Sequence, residues 1–190
     1  RNINDQFVKK AKQLGYINRA AFKLEEIEHK FKIIEKSKEV LELGASPGGW
    51  TQVIINSNSF VNITCFDLLE MKLKNKNITF FNEDFLNYDF NNFKNKFDLV
   101  LSDIAPNTTG HQSTDHLKIS QLIYEIIDTL KFILKVKGSF IFKIWKGEEE
   151  KEIINKLKSM FNKVDYFKPK SSRQESSEIF IISREFKINE

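Results

Sequence analysis

Apolar positions along the chain recur in two periods, one helical and one strand-like. Ala20, Leu24, Ile27 and Phe31 fall at i, i+4, i+7 and i+11 behind Asn18, a residue type suited to cap a helix start. Lys23 lies beside that stripe, so its side chain is expected to point away from the core. KEVLELG (38–44) is a short apolar run stopped by glycine, the pattern of a buried strand, and TQVIIN (51–56) continues past a glycine-rich turn as a helix. VNITCFD (61–67), NITFF (77–81) and FDLVLSD (97–103) read as further strands. The last is almost continuously apolar, as a parallel strand covered on both faces requires.

A long helix is expected from about Asp115 to Val136, with apolar residues at 119, 122, 123, 126, 127, 130, 133 and 134, ended by Lys137-Gly138. SFIFKIW (139–145) is another strand. Residues 148–161 form an amphipathic helix with Ile153, Ile154, Leu157, Met160 and Phe161 on one side, and KVDYF (163–167) and SEIFIIS (177–183) close the chain as strands. This alternation predicts an α/β domain built on a single doubly wound, mostly parallel sheet with helices on both faces. A basic amino-terminal segment and helix (about 1–35) precede the first strand. No repeat, low-complexity linker or second domain interrupts the pattern, so residues 1–190 read as one domain.

Length and composition agree with this picture, since 190 residues with 41% hydrophobic content can bury a sizeable core. No apolar run approaches the roughly 18 residues of a membrane span, and the basic start lacks the apolar stretch of a signal peptide. The single cysteine, Cys65, cannot form an internal disulfide, which suits a reducing cytoplasm or organellar matrix. With His29, His111 and His116 it shows no metal-ligand spacing, so no metal site is expected. No heptad or large apolar face points to an oligomer, and a monomer is expected. Net charge is +4, unevenly spread: residues 1–23 carry Arg1, Lys9, Lys10, Lys12, Arg19 and Lys23 against Asp5. Such a cluster can neutralise phosphates, or can be a solvated lysine-rich face. Because 26 of 30 basic residues are lysine and Asn, Ile and Phe abound, an AT-rich coding sequence explains much of the lysine content.

Ligands of open α/β sheets bind at the carboxyl ends of the strands, and distinctive residues stand there. Gly44-Ala45-Ser46-Pro47-Gly48-Gly49 forms a turn that backbone and ligand can approach closely, but it matches neither G-x-G-x-x-G nor a G-K-[ST] phosphate loop. Asp67 ends the second strand, 18 residues after Gly49, where a carboxylate suits the two hydroxyls of a ribose. Asp84 follows the third strand and can accept from an adenine amino group. Asp103 ends the fourth, ahead of Ile104-Ala105-Pro106-Asn107. Each acid alone reads equally well as a loop cap; three at successive strand ends point to a site. Lys143 sits inside an apolar strand, where lysine is rarely buried unless paired or functional, although an edge position would let it reach solvent. Glu178 opens a comparable strand, and alone is a plain surface carboxylate.

Six segments, NRAAFKLEEI (18–27), LELGASPGGWTQ (41–52), CFDLLEM (65–71), SDIAPNTTG (102–110), GSFIFKIWKGE (138–148) and KPKSSRQESSEIF (168–180), resemble in order the FtsJ/RrmJ (RlmE) family of RNA ribose 2′-O-methyltransferases. The resemblance implies a Rossmann-like methyltransferase fold with S-adenosyl-L-methionine as cofactor. It also implies a catalytic tetrad of Lys23, Asp103, Lys143 and Glu178, with Lys143 as proton acceptor. Its cofactor-binding positions fall on Gly48, Trp50, Asp67, Asp84 and Asp103. Two departures are Ser46, where alanine is frequent, and Ser177, where arginine is frequent before the glutamate. The chemistry is consistent: in-line methyl transfer to a hydroxyl needs positioning and a base, and burial beside a second cation favours a neutral amine, whereas Asp103, if close, opposes that shift but can orient the lysine. Glu178 can hold Lys23 or the ribose, and Lys168, Lys170 and Arg173 are candidate phosphate contacts.

The resemblance further implies a uridine of large-subunit (23S-type) ribosomal RNA as target, within an assembled or nearly assembled subunit. Transfer RNA is the alternative substrate. A non-catalytic ribosome-assembly factor would keep the basic face without needing the tetrad. A small-molecule or protein methyltransferase would share the sheet and Asp67 but not the two lysines and glutamate around Asp103. The glycine spacing disfavours a nicotinamide-dependent oxidoreductase.

Overall fold

The apolar runs assemble into one seven-stranded sheet in the order β3-β2-β1-β4-β5-β7-β6. The computed structural model describes residues 5–104, 112–145, 147, 150–173 and 176–187, with the backbone alone at 112–116 and 119. The strands are β1 (Glu39–Leu43), β2 (Asn62–Phe66), β3 (Ile78–Phe81), β4 (Phe97–Ser102), β5 (Leu134–Trp145), β6 (Phe161–Phe167) and β7 (Glu178–Phe186). The helices are α1 (Gln6–Gln13), α2 (Ala21–Phe31), α3 (Gly49–Ser57), α4 (Gln112–Ile133) and α5 (Glu150–Met160). β1 to β5 pair in parallel, whereas β7 inserts between β5 and β6 and is antiparallel to both.

Strand alternation sends successive side chains to two helical layers. Val40, Leu99, Leu101, Ile141, Phe180 and Ile182 pack with Leu24 and Ile27 of α2 and Val53 and Ile54 of α3. Leu41, Leu43, Val100, Phe140, Phe142 and Ile181 pack on the other face with Ile123, Ile127 and Leu130 of α4 and Ile153 and Leu157 of α5. The doubly wound, mostly parallel sheet expected from the sequence is therefore present. Among the described residues no helix is long and apolar enough to cross a membrane.

Several local features differ from the sequence pattern; Phe161, expected on the helix 148–161, opens β6 instead. The basic start carries its own helix, α1, capped by Asp5, whose Oδ1 accepts from Phe7 N at 3.0 Å. Asn18 accepts from Ala20 N at 3.0 Å and so organises the turn before α2, while Ala20 itself occupies the cap position. Finally, α4 stops at Ile133 rather than Val136. Leu134 already pairs with Phe97 in the sheet, and the register then shifts to Leu99–Ser139 around the left-handed Lys137 (φ 66°). The helical period runs on through Leu134 because that residue is buried in either structure. The start of the helix expected near Asp115, the apolar position 119 and residues 105–110 of the SDIAPNTTG segment fall where side chains or the whole residue lie outside the described set.

The stretch between β3 and β4 lacks long elements, yet its aromatics fix it. Phe66 stacks on Phe81 at 4.8 Å between centroids, Tyr88 meets Phe66 edge-on at 4.8 Å and stacks on Phe93 at 5.7 Å. Asp84 and Asp89 cap the two 3-10 turns, Phe85–Asn87 and Phe90–Phe93, between these rings.

Candidate active site

The carboxyl ends of β4 and β5 bring Asp103 and Lys143 together. Lys143 Nζ donates to Asp103 Oδ1 at 2.8 Å and to its backbone carbonyl at 3.0 Å. Lys143 follows Phe142 in β5, so it emerges on the face occupied by Ile141, toward α2 and α3. Directly opposite in the antiparallel ladder stands Phe180, and two residues before it, on the same face, Glu178. Glu178 Oε1 accepts from Lys23 Nζ at 2.7 Å and from Ser172 Oγ at 2.9 Å. The Lys23 ammonium also lies 5.8 Å from the centroid of Phe180. The four tetrad positions therefore form two ion pairs on one sheet face. Burial opposes the Glu178 carboxylate, but Lys23, Lys143 and the Ser172 hydroxyl outweigh it and hold the carboxyl below its ordinary range.

Beside this pair of ion pairs lies a cavity of about 240 Å³ lined by Arg19, Ala20, Lys23, Arg173, Ser176 and Glu178. Its wall is strapped to α2. Glu26 accepts from the backbone N–H groups of Lys170 and Ser171 at 2.6 and 2.9 Å, and Arg19 donates to Ser171 O. Arg19 also pairs with Asp5 and stacks over Phe7, tying α1 to the same assembly. Two cations of the basic amino-terminal cluster, Arg19 and Lys23, are thus committed to internal partners. Lys168, from the carboxyl-terminal cluster, donates to Ser176 O at 2.8 Å.

On the other side of Asp103 the glycine-rich turn opens α3. Gly48 takes φ 110°, and a Cβ there would sit 2.8 Å from Leu73 Cβ, so the position is closed to side chains. Asp67 at the end of β2 is half-buried; Oδ2 accepts from Ser46 N and Oδ1 from Leu69 N, each at 2.8 Å. Each oxygen keeps a lone pair for a further donor. Asp84 caps its turn through Oδ1, accepting from Leu86 N at 3.1 Å, and is half-buried beside exposed Leu86. Trp50 behaves differently. Its ring is buried against Phe180 and its Nε1 donates to Ala20 O at 2.9 Å, so the indole holds α2 to the sheet. What Trp50 presents at the turn is its backbone.

One buried acid has no counterpart among the candidates read from sequence. Glu42, in the middle of an apolar strand, is 2% exposed and accepts from Thr51 Oγ1 at 2.6 Å. Burial pushes its carboxyl up to about 8, and nearby Asp103 and Asp67 push the same way. The signal was an acid inside the run VLEL, parallel in kind to the lysine inside FIFKIW.

The pattern of the FtsJ-like methyltransferases matches residues 16–186. The chain belongs to the FtsJ-like methyltransferase family. The ribosomal RNA large subunit methyltransferase E of Wolbachia pipientis is 41% identical over 97% of this chain and 96% of its own length. Its counterpart in Caulobacter vibrioides is 41% identical over 98% of this chain and 84% of its own. Among solved structures, a ribosomal RNA methyltransferase from Plasmodium falciparum superposes with a TM-score of 0.76 at 28% identity, covering 90% of this chain and 98% of that one. A fibrillarin pre-rRNA processing protein from Methanococcus jannaschii, at 17% identity and a TM-score of 0.59, shares the fold over 82% of this chain and 70% of that one. The four residues of the two ion pairs were named from the sequence, whereas Ser172, Glu26 and Glu42 were not, although all three lie inside the segments that carry the resemblance.

Proposed function

We propose that this chain transfers the methyl group of S-adenosylmethionine to a ribose 2′-hydroxyl of large-subunit ribosomal RNA. The observation that carries the reading is the double hydrogen bond from Lys143 Nζ to Asp103, at the strand ends where such sheets hold ligands. A neutral amine has two N–H groups, and both are accounted for by the Asp103 carboxylate and carbonyl. The remaining position on Nζ, a proton in the ammonium and a lone pair in the amine, is the one available to a ribose hydroxyl. The two bonds to Asp103 orient Nζ, which is the positioning that a proton acceptor for the ribose hydroxyl needs.

The cofactor supplies an electrophilic methyl on a sulfonium. The residues present fit it: Asp67 has lone pairs left for two ribose hydroxyls, Asp84 keeps an oxygen that can accept from the adenine amino group, and the φ 110° turn at Gly48 lets backbone approach closely. The first turn of α3 through Trp50 and the Asp103 carboxylate complete the set, the latter on the cationic side. Lys23, fixed by Glu178, keeps a second cation beside the reaction centre, and Arg173 lines the adjoining cavity, where a substrate phosphate meets its guanidinium. The relatives named ribosomal RNA large subunit methyltransferase E support ribosomal RNA as the substrate class. A uridine in an assembled subunit is the finer target we assign, with the protein acting as a monomer in the cytoplasm or an organellar matrix.

Incubating the protein with methyl-labelled S-adenosylmethionine and, separately, large ribosomal subunits, transfer RNA and protein tests the assignment. Label in a 2′-O-methyluridine of the large-subunit RNA is the expected result. Label in transfer RNA overturns the substrate, and label nowhere overturns the enzyme.

A further inference from the structure

A second cavity, of about 350 Å³, lies at the opposite pole of the sheet. It is framed by the end of α2, the entries to β1, β4 and β5, and the exit of β7, the strand that begins at Glu178. Its charged lining is Lys32, Lys36, Asp98, Lys137, Arg184 and Glu185. The two acids are already engaged. Asp98 accepts from Lys38 N and Glu39 N at 2.9 Å and from Lys135 Nζ at 2.8 Å, and Glu185 is bonded to Lys163 Nζ. The cations are less committed. Arg184 donates to Asp165 at 2.6 Å and stacks on Phe31, yet its Nε is buried with no acceptor. Lys36 and Lys137 are exposed, and their ammonium groups have no hydrogen bond or ion pair among the described residues.

The backbone here is also unusual. Lys32 (φ 54°), Lys137 (φ 66°) and Glu185 (φ 62°) all line the cavity, and together with Asn95 they are the left-handed non-glycine residues among those described. Glycine or asparagine is the unstrained choice at such positions. The chain instead carries cations at two of them, around a buried donor that lacks an acceptor. Strained residues and unsatisfied buried donors gathered at one cavity are marks of a binding site.

We infer that this cavity binds a phosphodiester of the ribosomal RNA substrate, at a point remote from the methylated ribose. The surplus of cations over free acids selects an anion. A phosphate can accept from the two exposed ammonium groups of Lys36 and Lys137 together, beside the charge of the Arg184 guanidinium that lines the same cavity. A folded ribosomal RNA is far larger than the catalytic cleft, so it can reach both poles of the sheet. The inference rests on the reading of the chain as a ribosomal RNA methyltransferase.

The test is the double variant Lys36→Gln, Lys137→Asn, which removes two charges at exposed positions and puts a residue tolerant of left-handed backbone at 137. Binding to large-subunit RNA is measured against salt, without turnover, alongside methyl transfer at saturating RNA and titration with inorganic phosphate. The expected result is a salt dependence shallower by about one unit per lysine and affinity weaker by about ten-fold, with saturated turnover unchanged and Tm no lower than wild type. An unaltered salt slope overturns the inference. So does loss of inorganic phosphate binding with RNA binding intact, which makes the cavity a small-anion site. Failure of the wild-type protein to methylate the RNA defeats the catalytic reading separately, since the binding slope is read without catalysis.

Discussion

Lys143 of β5 and Phe180 of β7 stand opposite each other in an antiparallel ladder pair, and the rest of the tetrad is arranged around that ring. Lys23 approaches the ring from α2, Glu178 lies two residues along β7, and Asp103 receives both N–H groups that a neutral Lys143 can donate. Lys143→Met keeps the length and apolar stem of the side chain and removes the amine. Methyl transfer is expected to fall by about 10²–10⁴-fold, the usual contribution of a positioned base. S-adenosylmethionine affinity, read by calorimetry, stays at the wild-type value. Turnover close to wild type removes Lys143 from the proton-accepting role.

Glu178→Gln tests the second ion pair. The amide still accepts from Ser172, but Lys23 loses its counter-charge in a site where both side chains are largely buried. Loss of stability on the order of 2 kcal/mol is expected at pH 7. The carboxyl is held below its ordinary value, so its contribution is present above about pH 4.3 and disappears as pH falls through the lower native value. Urea melts of wild type and variant are therefore expected to differ at pH 7 and to converge at more acidic pH. A gap that stays constant across this range assigns the effect to shape rather than charge.

Glu42 has the opposite sign. Its native carboxyl titrates at about 8, so between the ordinary glutamate value and that point the folded protein holds a proton that the unfolded chain has released. Stability from this group is full at acidic pH and declines as pH rises toward 8. Glu42→Gln keeps an acceptor for Thr51 and removes the titration. At pH 8 the variant is expected to be more stable by at least ~1 kcal/mol, or ~2–4 °C in Tm, and near pH 4 to match wild type. Equal melting temperatures at pH 8 show that Glu42 is ionised without penalty in the native protein.

Strand and helix order and the parallel half of the sheet were readable from the sequence, and the resemblance named the four residues that the structure joins in two ion pairs. Burial on both faces leaves nearly continuous apolar runs such as FDLVLS, and a lysine or acid at their ends stands out. The insertion of β7 between β5 and β6 was not readable, because antiparallel pairing leaves the same apolar run in SEIFIIS. The pairing of Lys23 with Glu178, 155 positions apart in the chain, depends on that insertion. The α4–β5 boundary was blurred for a related reason: Leu134 is buried whichever element claims it. Ser172 and Glu26 are polar residues in unremarkable surroundings, and their bonds arise only when the segment between β6 and β7 folds back on α2.

Asp67→Asn separates donor binding from the chemistry. The carboxylate accepts two backbone N–H groups, from Ser46 and Leu69, and an amide nitrogen must face one of them as a second donor. The turn is then distorted and one ribose acceptor is lost. Affinity for S-adenosylmethionine is expected to drop by about 10–100-fold, corresponding to one or two lost hydrogen bonds to a charged group. RNA binding, measured without the cofactor, remains at its wild-type level. Unchanged cofactor affinity assigns Asp67 to the turn alone.

Trp50→Phe distinguishes the two roles open to the tryptophan. The Ala20 carbonyl accepts from both Trp50 Nε1, at 2.9 Å, and Lys23 N, at 3.1 Å, so the indole anchors the turn that carries Lys23. Phenylalanine keeps a ring against Phe180 and removes that donor. A loss of about 1–2 kcal/mol is expected from the missing hydrogen bond and the smaller ring. Because Ala20 is three residues before Lys23, kcat is expected to fall while the dissociation constant for S-adenosylmethionine holds. Weakened cofactor binding with unchanged stability gives the opposite answer: the indole then serves the methyl donor directly, and α2 is held without it.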